Sequence, residues 1–499
     1  MTEQVLVIGA GMAGLCAALA LAPTGREITL LERDPPPPGG DADQAFADWT
    51  RRGVGHLRHS HAFLARLRSV IRDEHRALLD DLLAAGCREI AFAEMLTDLH
   101  KTRYVAKPID AELVVLTSRR TTLELIIRRY VERLPHVTIR SETFVKALAV
   151  ETAPDRPLKV TGVVLENGET LSADLVVDAA GRTSGACEQL TELGAAIGEV
   201  SETAGILYFT RHYRLRPGQS EPPRGKTPAS GDLGFLKFGV FPADNGCFSI
   251  TICVPEIEME MRKAIVDPDT FDALCRQMPG MVPWIEPERT EGVSKVFGMG
   301  DLHSRWRDLV KDGRAAATGF FAIGDSLVRT NPLYGRGCSF AAVSAYLLRD
   351  TLAESPDPVA RALIFHDKVA AEIRPYYDNM LEQDRAAIRR ARHALTPSYR
   401  PGLRARVLKS FLEDGVNIAV RSDPGLMREA LRGFHMLEHP SAWLRRPRNL
   451  AKVMGYWARG KAANAAAYPP QLGPERGELY RAVGVSASAD IERLAAERA

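Results

Sequence analysis

Ten residues near the start, Val5-Leu6-Val7-Ile8-Gly9-Ala10-Gly11-Met12-Ala13-Gly14, constrain the fold more than any others in the chain. Val5 to Ile8 is an unbroken apolar, mostly β-branched run that reads as a buried parallel strand, and the alanine- and leucine-rich run from Leu15 to Ala22 reads as a helix. Between them lies Gly-x-Gly-x-x-Gly. In such a turn Gly9 permits the tight bend, Gly11 lets backbone approach a pyrophosphate, and Gly14 lets the helix pack closely on the strand. The helix N-terminus then turns unpaired N–H groups and the positive end of its dipole toward the phosphates. A second strand, Glu27 to Leu31, ends in Glu32, where a carboxylate can accept both ribose hydroxyls of an adenosine. Strand, glycine turn, helix and acid together predict dinucleotide binding, with Met12, Ala13 and Arg33 beside the same ligand.

At 499 residues the chain exceeds what one hydrophobic core serves, so two or three domains are expected. A net charge of +2 gives no reason to expect a nucleic acid or an acidic partner. The seven cysteines are scattered without a Cys-x-x-Cys pair, which suggests a reducing compartment and no structural metal. The apolar run from Val5 to Pro23 is long enough to imitate a signal peptide. It lacks a basic flank, and its glycines fall where a nucleotide turn needs them, so a cytoplasmic protein is expected. No later apolar stretch is long enough to span a membrane.

Further along, Pro35 to Gly40 must be a surface loop. A helix is predicted from about 62 to 85, its charges (Arg66, Arg68, Arg72, Asp73, Glu74) facing water, and another from Arg119 to about Leu134. Val137–Arg140, Val145–Glu151 and Lys159–Leu165 read as strands. Asn167-Gly168 reads as a hairpin turn, and Asp174–Asp178 as a buried strand that stops at Ala179-Ala180-Gly181. From Gly205 to Gly300 the texture changes to antiparallel strands rich in aromatic and β-branched residues, with a helix near 267–278. Gly319 to Asp325 then resumes the first pattern, and the loop Asn331 to Gly337 opens a helix from Cys338 to Leu352. Beyond Glu354 the pattern is helical, with breaks near Pro397 to Pro401 and Pro469 to Pro474.

Three separated segments therefore belong together: Gly9 to Gly14 with Glu32, Asp174 to Gly181, and Gly324-Asp325 with Pro332 to Gly337. This set resembles the FAD-dependent aromatic hydroxylase and epoxidase superfamily, the p-hydroxybenzoate hydroxylase fold, over residues 4 to 355. Within it, Arg52 with His59-Ser60-His61, Ser118 to Glu124, Tyr208 to Tyr213 and Phe238 to Pro242 resemble the bacterial branch that includes the polyether-ionophore epoxidases. Two departures stand out. Ala180 precedes Gly181 where the motif usually ends Asp-Gly, and Gly55-His56 replaces the branch's Pro-Gln.

The resemblance implies an α/β protein. A discontinuous Rossmann-like FAD-binding domain would comprise 1–80, 105–190 and 296–355. An antiparallel-sheet substrate domain would comprise 191–295 with parts of 81–104, followed by a helical C-terminal region, 356–499. It implies FAD held by Gly9, Gly11, Met12, Ala13, Gly14, Glu32, Arg33, Arg120, Asp178, Gly181, Gly324, Asp325, Pro332, Gly335, Gly337 and Cys338. In this reading Asp325 accepts a hydrogen bond from the ribityl chain, and the N–H groups near Gly337 and Cys338 stabilise negative charge on the reduced flavin. NADH or NADPH would supply electrons, directly or through a flavin reductase. One oxygen atom of O2 would pass by way of a flavin C4a-hydroperoxide to an apolar substrate, in a pocket expected to include Phe209, Phe235, Phe238 and Phe241.

Several readings stay open. Arg120 either reaches FAD or decorates a solvated helix face. His59 and His61 share one face of an extended segment, either beside the flavin as catalytic residues or as structural histidines, and no third ligand is spaced to make them a metal site. The basic, aromatic run from Trp443 to Arg459 is either a solvated face, a dimer contact or a peripheral membrane contact. The same fold also serves alkene reductases of the geranylgeranyl type and flavin-dependent halogenases.

Overall fold

The computed structural model describes residues 2–154, 156–224, 227–396 and 398–496. Its organising layer is a five-stranded parallel sheet in the order Phe320–Ala322, Leu175–Asp178, Gln4–Ile8, Glu27–Leu31, Val137–Arg140. The inner strands Gln4–Ile8 and Leu175–Asp178 are largely buried: the helix Met12–Leu21 contacts the first and the antiparallel strand Leu158–Leu165 the second. The first helix, Met12–Leu21, has all ten residues buried and packs on Gly337–Glu354 and Arg120–Val131. This assembly puts the glycine turn, Asp178 and the start of Gly337–Glu354 at the carboxyl ends of neighbouring strands, where open α/β sheets bind ligands.

A second sheet, antiparallel, has the order Ser230–Asp232, Lys237–Pro242, Cys247–Pro255, Ile206–Leu215, Thr290–Gly292, with Phe297–Met299 also pairing Ile206–Leu215. Its outer face carries Phe209, Phe248 and Ile250, which pack on the helix Pro268–Arg276 through Phe271 and Leu274. Its inner face looks toward the parallel-sheet layer. After residue 354 come a 37-residue helix, Pro358–Ala394, and a set of shorter helices to residue 496. Pro397, in one of the expected helix breaks, lies outside the described residues. No helix among the described residues is long and apolar enough to cross a membrane. All seven cysteines are buried and free.

Two local expectations are corrected. The single helix expected from 62 to 85 is a two-residue strand, Ala62–Phe63, followed by two helices, Ala65–Glu74 and Arg76–Ala84. They meet at His75, whose φ of −141° and ψ of 62° leave the helical region. The buried His75 ring contacts Tyr130 and Tyr346, so tertiary packing breaks a run whose leucine spacing continues unbroken. Arg68 does not face water either: it is buried, and its Nε donates to Glu89 at 2.6 Å.

Candidate active site

One cavity of about 1260 Å³ joins the two sheets. It begins at the glycine turn with Gly9, Gly11, Met12 and Ala13, passes Glu32 and Arg33, and continues between Arg120, Arg182 and the loop Pro332–Cys338. It ends against the inner face of the antiparallel sheet at Tyr208, Lys237, Phe241, Thr251 and Cys253. Leu431, Phe434 and His435 of the C-terminal region complete the wall.

The glycines divide into two kinds. At Gly14 an added Cβ would lie 1.9 Å from the Gly9 carbonyl oxygen, and at Gly324 one would lie 2.7 Å from Ala13 Cβ, so these two are small because protein packs on them. At Gly11 the nearest atom to an added Cβ is an Arg51 nitrogen 3.9 Å away, and at Gly337 the nearest is Thr330 Oγ1, also 3.9 Å away. These two face open cavity, so protein packing does not require their smallness.

Charge is arranged around the same space. Glu32 accepts hydrogen bonds on Oε2 from the Ala10 N–H at 2.8 Å and from Arg51 at 3.0 Å, and on Oε1 from the Asp34 N–H at 2.9 Å. A carboxylate has about four acceptor positions, so about one remains for a ligand hydroxyl rather than the two expected from sequence. Arg51 also pairs with Asp34 and Glu124. Burial alone would lower its pKa; Glu124, Glu32 and Asp34 outweigh that and hold it above the ordinary value. Arg120 is buried rather than solvated. Its Nε and one terminal nitrogen donate to Glu124 at 3.0 Å, and the other terminal nitrogen lies 2.9 Å from Cys338 Sγ.

Asp325 opens on the cavity, and its carboxylate accepts no hydrogen bond from any described residue. Burial raises its pKa, against the opposing pull of Arg329, Arg120, Arg305 and Arg182. A carboxylate held this way has its acceptor positions free for a ligand. Asp178, by contrast, is wholly buried behind the wall. It takes hydrogen bonds from the Ala180 N–H at 3.1 Å, Ser326 Oγ at 3.1 Å and Ser184 Oγ at 2.5 Å, and so shapes the Ala179–Ser184 turn without reaching the cavity.

His56, His59 and His61 all line the cavity. Burial is the main cause that lowers each pKa, helped by the charge of Arg120 for His56 and His61, and brings His59 to about 4 and His61 to about 3. All three rings are therefore neutral at neutral pH. His61 Nδ1 lies 2.8 Å from the His59 carbonyl oxygen, so Nδ1 carries the proton and Nε2 is a bare acceptor. His59 Nδ1 pairs with Thr210 Oγ1 at 2.9 Å, and Thr210 continues through Thr251 and Ser60 to Ser249. This chain of hydroxyls ties the His59 segment to the antiparallel sheet.

Of the residues expected at the site, Gly9, Gly11, Met12, Ala13, Glu32, Arg33, Arg120, Gly181, Asp325, Pro332, Gly335, Gly337 and Cys338 line the cavity, as do His59, His61, Phe238 and Phe241. Gly14, Asp178 and Gly324 lie behind its wall. Phe209 and Phe235 belong to the core on the far side of the antiparallel sheet and do not reach the cavity, and Phe238, which borders the cavity, shares that core and pairs in register with Ile252. Arg51, Arg182 and His435 were not singled out from sequence, and the supporting Glu124 was quoted only as the last residue of the motif Ser118 to Glu124. Arg51 and Arg182 carried a signal, each lying next to a quoted motif. His435 carried none.

Against known proteins, the chain aligns at 28% identity over 374 residues with Protein Rv3254 of Mycobacterium tuberculosis, covering 70% of this chain and 73% of that protein. Among solved structures, the flavin-dependent brominase Bmp2 is similar with a TM-score of 0.57 at 16% identity, over 92% of this chain and 100% of that one. PqsL of Pseudomonas aeruginosa, described as a probable FAD-dependent monooxygenase, is similar with a TM-score of 0.54 at 16% identity, over 78% of this chain and 98% of that one. At such identities these two structures establish the fold alone. The family described as FAD dependent oxidoreductase matches residues 4–351, and the chain belongs to it.

Proposed function

We propose that this FAD-dependent oxidoreductase is a monooxygenase that inserts one oxygen atom of O2 into an apolar organic substrate. The observation that carries this reading is the continuity of the cavity, from the glycine turn to the inner face of the antiparallel sheet. The residues fit FAD: Gly11 and Gly337 leave space that a Cβ would fill, and Asp325 offers acceptors that no protein donor uses. Gly9, Gly11, Met12 and Ala13 would hold the pyrophosphate, and Glu32 with Arg33 the adenosine. Arg120, Gly181 and Asp325 would hold the ribityl region, and Pro332, Gly335, Gly337 and Cys338 the pyrimidine edge. Gly14, Asp178 and Gly324 support the walls from behind.

Bound FAD would supply the redox chemistry with O2. The chain's own part is to position, to exclude water and to place dipoles. The first N–H groups of the helix Gly337–Glu354 would face negative charge on the reduced ring system. Phe241, Cys253 and Met299 would keep the substrate side dry. His61, with its bare Nε2, and His59, anchored to Thr210, would orient the substrate as neutral groups. None has the raised basicity expected for deprotonating a phenol, which favours epoxidation of an alkene over phenol hydroxylation and agrees with the resemblance to the polyether-ionophore epoxidases. We assign residues 1–80, 105–190 and 296–355 to the FAD domain, 191–295 with parts of 81–104 to the substrate domain, and 356–499 to the helical region. NADH or NADPH is the assigned electron donor, and the seven free thiols fit a cytoplasmic protein.

Chemically reduced enzyme mixed with 18O2 and a panel of apolar alkenes is expected to yield product carrying one labelled oxygen. Product formed under strict anaerobiosis, or free of label, contradicts the reading. His59→Ala and His61→Ala are each expected to slow turnover about tenfold or more while FAD content stays at wild-type level. Wild-type rates in both would return the histidines to a structural role. Asp325→Ala is expected to weaken FAD binding about tenfold or more, by removing a hydrogen bond to a charged acceptor of about 1.5–3 kcal/mol. Titration of apoenzyme with FAD measures it, and an unchanged affinity would remove Asp325 from the site.

A further inference from the structure

The loop Asn331–Gly337 is clamped from outside the family-matched segment by one buried carboxylate. Asp384 lies on the helix Pro358–Ala394 and is 3% exposed. Its Oδ1 accepts from Asn331 Nδ2 at 2.8 Å and from the Tyr334 hydroxyl at 2.9 Å. The direction of the first bond is fixed. Asn331 Oδ1 already accepts from the Leu333 N–H at 3.0 Å and from the Tyr208 hydroxyl, so the amide must present its nitrogen to Asp384. Tyr208 belongs to the antiparallel sheet and lines the cavity, as do Leu333 and Tyr334. Three parts of the molecule therefore meet at this point: the substrate-side sheet, the loop on the cavity wall, and the long C-terminal helix.

The other oxygen, Oδ2, makes no well-formed hydrogen bond among the described residues, although the Ser304 hydroxyl lies near enough to help lower the carboxyl's pKa. Beside Asp384 is a separate chamber of about 30 Å³, lined also by Lys237 and Arg390, with room for about one water. Burial pushes the Asp384 carboxyl up to about 6, opposed by its bonds to Asn331 and Tyr334 and by the charge of Lys237. Ser304 and Tyr208 from the sheets, and Arg336 from the loop, are the other polar groups around it. In either protonation state Oδ1 can take both donors. What the loop requires at this point is an acceptor oxygen rather than a charge.

We propose that Asp384 is a positioning residue for the flavin-side loop, holding Asn331 and Tyr334 so that Pro332–Gly337 keeps the shape that receives the cofactor. The C-terminal helical region then takes part in cofactor binding, although the family match ends at residue 351. This rests on the reading above, in which that loop borders FAD.

Two substitutions separate the acceptor from the space it fills. Asp384→Asn keeps an acceptor oxygen and is expected to bind FAD within about threefold of wild type, whereas Asp384→Leu keeps much of the volume without an acceptor and is expected to bind about tenfold or more weakly. The measurement is FAD titration of apoenzyme, followed by flavin fluorescence and by the fine structure of the bound-flavin absorbance. A swap gives an arm that does not depend on the leucine variant folding. Asn331→Asp sets two carboxylates face to face and is expected to weaken FAD binding about tenfold or more, and adding Asp384→Asn is expected to restore it to within about threefold. An Asp384→Leu variant with wild-type FAD affinity overturns the inference. So does an Asp384→Asn variant as weak as the leucine one, or a double variant no better than Asn331→Asp alone. Wild-type protein that takes up no FAD overturns this inference together with the reading beneath it. Wild type that binds FAD beside an indifferent Asp384→Leu overturns this inference alone.

Discussion

Gly11→Val is expected to fold and to bind no FAD, while Gly14→Val is expected not to fold. Both positions belong to the same short turn, and the sequence assigns them different tasks, Gly11 to approach of a pyrophosphate and Gly14 to helix–strand packing. A Cβ at Gly14 would sit 1.9 Å from the carbonyl oxygen of Gly9, a backbone atom that cannot move without unseating the strand Gln4–Ile8 from the helix Met12–Leu21. A Cβ at Gly11 meets only the tip of the Arg51 side chain, 3.9 Å away. Valine there adds three carbons to empty cavity, in the space assigned to the pyrophosphate. Circular dichroism and thermal melting should find Gly11→Val near wild type, and flavin absorbance should be missing. Full FAD occupancy in Gly11→Val would show that the phosphates lie elsewhere.

Arg51→Ala is expected to destabilise the protein by about 3–5 kcal/mol, the usual loss when one member of a buried ionic cluster is removed. Arg51 is 2% exposed and serves three carboxylates at once, Glu32, Asp34 and Glu124, whose side chains are all at most 5% exposed. Glu124 keeps Arg120 as a second partner, and Asp34 keeps the Gly53 N–H at 3.2 Å. Glu32 keeps only backbone N–H groups. Removing the guanidinium therefore leaves like charges facing each other, with only Glu32 bordering the cavity while Asp34 and Glu124 stay shut off from it. Denaturant unfolding measures the loss, and a value below about 1 kcal/mol would mean that water enters and solvates the cluster.

The legible and illegible parts of the molecule differ in the range of the interactions that fix them. The glycine turn is local backbone geometry. Gly9, with φ of +97°, and Gly14, under the Gly9 carbonyl, are written in the sequence because no other residue type satisfies them. The strands Glu27–Leu31, Val137–Arg140 and Val145–Glu151 were legible with their limits, since composition and alternation are also local. The side of the antiparallel sheet that meets the cavity was not. Along Ile206–Leu215 successive side chains point to opposite faces, and Tyr208 takes the cavity side while Phe209 joins the far core. Aromatic content alone does not distinguish the two.

Asp178 illustrates a second limit. Its motif marks the site, but Ser184 and Ser326 use up its carboxylate, and only the fold brings Ser326 to it. Asp384 and His435 mark a third. Asp384 lies in a helix and His435 just past the end of one, each in a stretch whose apolar spacing identified helix and nothing more, and both act from beyond residue 351. Sequence periodicity reports which residues share a helix face, not which distant loop that face will meet.

The most direct test of the account is the flavin content of the purified protein. Denaturation should release one FAD per chain, unmodified and not covalently held. Asp325→Ala and Gly11→Val prepared in the same way should be folded and largely colourless. Wild-type protein without flavin, or full FAD occupancy in both variants, would contradict the assignment of this cavity to FAD.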